Sequence, residues 1–257
     1  MAYALITGAS SGIGWELAHV MAAKEWDLIL VARTGEKLNE LKTELEKKYR
    51  IRAQVIPMDL AKPEAALDLF RKTQGFEVEI LVNNAGFGDY GAFADADWKR
   101  QRDMIQVNIM ALTELTHLFL PSMIQRKSGK ILNVASTAAF QPGPLMSVYY
   151  ATKAFVLSFS EGLYEELQGT GVSVTALCPG PTKSGFQQAA NMGNVALFET
   201  TPLPSSRDVA LYGYRALMQR KPVAIHGTVN KMMASSVRFV PRAVTRKLVR
   251  KLQEKRA

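Results

Sequence analysis

The 257-residue sequence predicts an α/β protein, a single-domain Rossmann-type doubly wound parallel sheet of about seven strands with helices on both faces. Three observations carry that expectation. Short continuous apolar runs such as DLILVA at Asp27–Ala32 read as strands buried on both faces, as strands of parallel sheets are. These runs alternate strictly with helix-period segments, and parallel strands need right-handed crossovers that put helices on both faces. The first run leads straight into a glycine-rich turn at residues 7–14, at the edge where such sheets hold ligands.

Each element follows in order. Residues 3–7 form the first strand, and Ile13, Leu17, Val20 and Met21 recur at helical spacing after it. Residues 27–32 are the second strand, followed by a helix on Leu38, Leu41 and Leu45. A third strand spans 53–57, a helix 63–72, and a fourth strand 79–82. One long helical stretch covers 98–126, and a fifth strand 130–134. Helix 149–168, strand 172–177, helix 206–219 and strand 223–225 complete the alternation. The Rossmann-type domain is therefore read over residues 1–227, with an irregular insertion at about 182–204 and a basic helical extension at 228–257. A long irregular insertion inside a compact domain is usually functional.

With 47% hydrophobic residues, 21% charged residues, 18 Gly and 11 Pro, the chain is neither disordered nor collagen-like. No run of eighteen apolar residues occurs, which argues against a spanning helix, and the first apolar run is too short for a secretory signal. Cys178 is the one cysteine, which excludes an internal disulfide and a Cys-based zinc cluster. A cytoplasmic location fits, with the membrane periphery as its variant. The net charge of +9 is uneven: 11 basic residues and one acid lie in residues 220–257, so the rest of the chain is nearly neutral. A nucleic-acid role would rest on that tail alone, and none is expected.

TGASSGIG (Thr7, Gly8, Ala9, Ser10, Ser11, Gly12, Ile13, Gly14) joins the first strand to the first helix. Gly8 permits a tight turn, Gly12 a close approach of the backbone to a pyrophosphate, and Gly14 tight helix–sheet packing. The helix N-terminus then offers free N–H groups to phosphates. The second strand ends in Ala32-Arg33 rather than an acid. With no carboxylate to repel a 2′-phosphate and a guanidinium to hold it, the cofactor expected is NADP(H).

Tyr149 and Lys153 stand four apart and share a helix face, where an ammonium would favour tyrosinate. Tyr150 lies roughly on that face too, and periodicity alone does not choose between the tyrosines. Ser136 lies just past the fifth strand, at the sheet's carboxyl edge, where it could hold a carbonyl oxygen while a tyrosine gives the proton.

Together with Asp59-Leu60, NNAG at 83–86, Asn108, YYATK at 149–153 and PGPT at 179–182, these motifs make the chain resemble the short-chain dehydrogenase/reductase family over about residues 3–225. The PGPT segment and basic extension are similar to the branch holding steroid and long-chain 3-oxoacyl reductases. The resemblance implies a tetrad of Asn108, Ser136, Tyr149 and Lys153, and its Tyr-x-x-x-Lys spacing selects Tyr149 as general acid/base. It implies that Lys153 lowers the Tyr149 pKa and binds the nicotinamide ribose. Ser136 would bind the substrate oxygen and Asn108 a relay water. Asp59 and Leu60 would border the adenine, Asn83, Ala85 and Gly86 the ribose side, and Pro179, Gly180 and Thr182 the nicotinamide end.

The function expected is hydride transfer between NADP(H) and a ketone or aldehyde and its alcohol, running towards reduction. Phe186, Met192, Val195, Leu197 and Phe198 in the insertion read as a lid over an apolar substrate, or else as a core plug. Cys178 reads as a small buried hydrophobe, and His19, His117 and His226 have no metal-ligand spacing. A homodimer or homotetramer is the expected assembly. Two other functions stand beside the enzyme: an idle NADP(H) sensor on the same fold, and a membrane-surface module working through the tail. In the tail, Val244, Leu248 and Leu252 form an apolar stripe among Arg and Lys, starting from Pro241. The stripe is read mainly as a packing face, with membrane contact as its alternative.

Overall fold

A computed structural model describes residues 2–192 and 203–254. Its centre is a seven-stranded sheet in the order β3-β2-β1-β4-β5-β6-β7, with every neighbouring pair parallel. The strands are β1 (Ala2–Thr7), β2 (Asp27–Ala32), β3 (Ala53–Pro57), β4 (Glu77–Asn83), β5 (Gly129–Val134), β6 (Val172–Cys178) and β7 (Val223–Ile225). β2 and β6 are buried along their whole length, because helices cover both faces.

The helices are α1 (Gly12–Ala22), α2 (Gly35–Lys48), α3 (Ala65–Lys72), α4 (Trp98–Ile105), α5 (Leu112–Arg126), α6 (Ser147–Glu166), the short α7 (Phe186–Ala189), α8 (Ser206–Met218), α9 (Thr228–Ser236) and α10 (Arg242–Gln253). One core packs α1, α2 and α8 on one face of the sheet through Leu17, Met21, Leu38, Leu41, Val209 and Leu217. A second packs α3 and α5 on the other through Leu69, Leu115, Phe119 and Met123. Between β1 and β4 the strand order reverses, so the loops after these two strands part and open a crevice at their carboxyl ends.

Three expectations change. The single helix over 98–126 is three segments, because a π-helical turn at Gln106–Ala111 separates α4 from α5. Such turns frequently mark functional sites, and this one carries Asn108. The stretch Trp98–Arg126 also has the length and apolar composition to cross a membrane, although it contains no long unbroken apolar run; 44% of its most apolar window is buried against the protein. The third change concerns the tail. α10 packs on the body through Thr245, Val249 and Gln253, while Val244 and Leu248 are 53% and 57% exposed. Residues 245, 249 and 253 repeat every four positions as Val244, Leu248 and Leu252 do, so helical period offered two neighbouring stripes. The more polar one is buried because the protein body gives Gln253 hydrogen-bond partners.

Candidate active site

The turn after β1 is built by backbone constraints. Gly8 and Gly12 have φ of +67° and +57°, a region that favours glycine. A Cβ on Gly14 would stand 2.2 Å from the Gly8 carbonyl oxygen, so α1 can start this close to the strand only without a side chain there. The Thr7 hydroxyl donates to the Val82 carbonyl (3.1 Å) and accepts from the amides of Asn84 and Ala85 (3.0 Å each). The Asn84 carboxamide donates to the Thr7 and Gly8 carbonyls at 2.9 and 3.1 Å. These bonds tie the ends of β1 and β4 together and set the width of the crevice.

From this turn a continuous cleft of about 670 Å³ runs to the end of α10. Gly8, Ser10, Ser11, Gly12 and Ile13 form one end, with Arg33, Asp59 and Leu60 beside them. Ala85, Gly86, Ser136, Tyr149, Lys153, Pro179, Gly180 and Thr182 line its middle. Asp59 fixes its own turn by accepting from the Ala61 amide at 3.1 Å. Arg33 is exposed at the mouth.

Two residues expected at the cleft lie behind it. Asn83 is the last residue of β4 and is 3% exposed; its carboxamide donates to Thr116 Oγ1 and Asn133 Oδ1 at 3.0 Å each. The strand's alternation turns Asn83 into the interior, and the neighbouring Asn84 faces the cleft instead. Asn108 is 1% exposed and is absent from the cleft wall. Its Nδ2 donates to the Phe87 carbonyl and Thr152 Oγ1, both at 3.0 Å, and its Oδ1 accepts from the Phe87 amide at 3.1 Å. Both amide protons are committed, so this side chain clamps the loop after β4.

The two tyrosines separate by their partners. Both are 8% exposed on α6. The Tyr149 phenol shares the cleft wall with Ser136, whose hydroxyl donates to the Pro179 carbonyl at 3.4 Å, whereas the Tyr150 phenol accepts from the Gln253 carboxamide. Burial pushes the Tyr149 phenol well above the ordinary tyrosine value; Ser136 opposes that shift and Tyr150 adds to it. Burial likewise pushes Tyr150 up to about 12. Lys153 is pulled down to about 8, mainly by burial. Its ammonium donates to the Val134 carbonyl at 2.7 Å and lies 5.8 Å from the centre of the Tyr149 ring. That bond uses one of the three N–H donors of the ammonium. Ser136 is held by accepting from the Ala138 amide at 3.1 Å. Cys178 is fully buried beneath the site, and burial raises its thiol to about 12.

The far end of the cleft sets apolar side chains beside the charged Asp97, Lys99, Arg100 and Asp103. Phe186 lies with its ring centre 5.2 Å from that of Tyr149, and buried Met192 lines the same wall. Val195, Leu197 and Phe198 lie outside the described residues. Arg100 of α4 fastens this wall: it donates to Asp89 Oδ1 at 2.7 Å and to the Ala189 carbonyl, and stacks over Phe87 at 5.4 Å. Neither Arg100 nor Gln253 carries a sequence signal. Asn84 had one, since it stands inside the NNAG motif.

Residues 2–194 match the family described as short chain dehydrogenase. A very-long-chain 3-oxoacyl-CoA reductase of Phaeosphaeria nodorum is 35% identical over 92% of this chain and 77% of its own length. A very-long-chain 3-oxoacyl-CoA reductase-B of Danio rerio is 37% identical over 69% of this chain. The match takes in only 58% of the fish protein, so the chain spans about three-fifths of such a relative. Among solved structures, a short-chain dehydrogenase from Sphingobium yanoikuyae in complex with NADPH superposes with a TM-score of 0.84. It is 30% identical, over 93% of this chain and 94% of that one.

Proposed function

The chain belongs to the short-chain dehydrogenase family, and from that premise we propose that it is an NADP(H)-dependent carbonyl reductase. The observation that carries the reading is the Ser136–Tyr149 pair in the wall of one cleft that begins at the glycine turn. The turn fits a dinucleotide: Gly12 leaves room that a Cβ would fill against Ser184, and the α1 N-terminus faces the cleft. Arg33 would hold the 2′-phosphate, Asp59 and Leu60 the adenine, and Asn84, Ala85 and Gly86 the ribose side. A Cβ on Gly86 would stand 2.9 Å from Asn108 Oδ1 and 3.5 Å from Lys153 Nζ, so a side chain there would crowd Lys153 and its loop. Pro179, Gly180 and Thr182 would border the nicotinamide, and Lys153 its ribose.

A reduced nicotinamide held there would supply the hydride for the substrate's carbonyl carbon. Ser136 holds the carbonyl oxygen by a hydrogen bond, and Tyr149 gives that oxygen its proton. Burial keeps the phenol protonated at neutral pH, the form that reduction requires. Asn108 positions the loop that carries Phe87. Phe186 and Met192 favour an apolar substrate, and the names of the curated relatives point to the 3-oxoacyl class. The test is NADPH oxidation with a panel of ketones, aldehydes and 3-oxoacyl compounds. Cofactor binding with no turnover of any of them would leave the non-catalytic sensor.

A second reading concerns the tail. Phe239 is 88% exposed, and Met232, Val244 and Leu248 are all more than half exposed. The segment from 228 to 253 contains Lys231, Arg238, Arg242, Arg246, Lys247, Arg250 and Lys251 and no acid. Apolar side chains among cations suit an anionic lipid surface, where each nearby cation contributes about 1 kcal/mol. Co-sedimentation with anionic but not neutral vesicles, lost in Phe239→Glu/Leu248→Glu, is the expected result. Concentration-dependent dimerisation abolished by the same change would assign this face to a second copy instead.

A further inference from the structure

Gln253, in the last turn of α10, is 1% exposed and stands in the cleft wall with Tyr149, Tyr150 and Met192. Its main-chain carbonyl accepts from the Tyr90 hydroxyl at 2.7 Å, which pins the helix end. Its carboxamide nitrogen donates to the Tyr150 hydroxyl. Its carboxamide oxygen is buried and meets no partner among the described residues.

Two hydrogen-bonding functions are thereby left over. A phenol has one proton, and the Tyr150 oxygen already accepts from Gln253, so its own O–H is available to an acceptor. If the carboxamide is turned end for end, Tyr150 donates to the amide oxygen and the amide N–H groups are released instead. In either orientation the pair presents a donor beside Tyr149 and Met192: the Tyr150 O–H with the amide oxygen left for a second partner, or the amide N–H groups. Buried polar groups without partners are unfavourable, and a pocket is where a ligand can complete them. Tyr150 sits beside Tyr149 with ring centres 6.1 Å apart, so this donor lies next to the place where the reacting carbonyl is held.

We propose that Tyr150 and Gln253 form a second polar subsite, which binds an oxygen acceptor close to the reacting carbonyl and so selects carbonyl compounds with a second carbonyl over simple ketones. This rests on the reductase reading, and it makes the pair specificity-determining, with the proton transfer left to Tyr149. A 3-oxoester or 3-oxothioester has the required shape: the ketone goes to Ser136 and Tyr149, and the ester carbonyl to the Tyr150–Gln253 pair. A simple ketone leaves this donor unsatisfied. Sites built to hydrogen-bond a substrate group discriminate strongly against analogues that lack it.

The experiment compares a 3-oxoester with a methyl ketone of equal carbon count, in the wild type, Gln253→Leu, Tyr150→Phe and the double variant. The readout is the ratio of the two kcat/KM values. The expected result is a fall in that ratio of about tenfold in either single variant, the scale of one hydrogen bond. The double variant should fall no further, because the two side chains act as one unit. Equal losses on both substrates, or no loss on either, overturn the proposal. Tyr150→Phe keeps the ring's packing, so it decides the matter if Gln253→Leu loosens α10. Calorimetric binding of the same two compounds to the NADP⁺ complex reads the subsite without turnover. Selective weakening of the 3-oxoester there supports the subsite even if the reductase reading fails, and equal affinities in wild type and variants refute it.

Discussion

The two ends of the cleft are made in different ways. At the glycine turn the surface is mostly backbone: positive φ at Gly8 and Gly12, an α1 start that tolerates no Cβ at Gly14, and main-chain groups tied by the side chains of Thr7 and Asn84. At the other end it is side chains from distant segments, with Phe186, Met192, Tyr150 and Gln253 meeting from three separate parts of the chain. A backbone surface leaves a mark in sequence, because few residues other than glycine can form it. A side-chain surface leaves little, since many apolar or amide residues could fill each place.

Three changes put this contrast under strain, the largest first. Tyr149→Phe should lower turnover by about 10²–10⁴ while NADPH binding persists, because the hydroxyl acts on the transition state. Tyr150→Phe should lose far less on a simple ketone. A reversal, seen in steady-state rates, would assign the proton transfer to Tyr150 instead. Arg33→Ala should weaken NADPH by about ten- to hundredfold with little effect on NADH, since only NADPH carries the 2′-phosphate. Fluorescence titration with both cofactors checks this, and equal losses would remove Arg33 from the cofactor end.

The smallest effect is a pH limb. Lys153 is a base pulled down to about 8, so it is charged below that pH and neutral above it. Tyr149 is pushed upward and stays protonated throughout this range. The kcat/KM for reduction should therefore fall as pH rises past about 8, and the limb should vanish in the residual activity of Lys153→Met. A limb that survives in that variant would point to another group.

The fold was legible almost throughout. β2, β3 and β7 lie at their expected residues, because continuous apolar runs bounded by turns have few other solutions. The π turn was not legible: Gln106–Ala111 has a helical pattern, and a local slip in hydrogen bonding does not change composition. Asn83 was misplaced because a motif names residues without saying which face of a strand each occupies; the hydrogen bonds to Thr116 and Asn133 show that it serves the interior. The tail stripe was misjudged by a related error. Hydrophobicity ranked Val244, Leu248 and Leu252 first, but burial followed the partners available to Gln253.

The anchoring of α10 has a thermal consequence. Gln253 reaches back 163 residues to Tyr90 and 103 to Tyr150, yet it lies in a terminal helical turn, where backbone bonds are fewest. Terminal turns open by local fluctuation at far less cost than the sheet beneath them. Warming should therefore fray this wall while the glycine turn still grips its nucleotide. The molecule would grow indiscriminate before it melts, and the gap between those two temperatures measures how loosely the last turn is fastened.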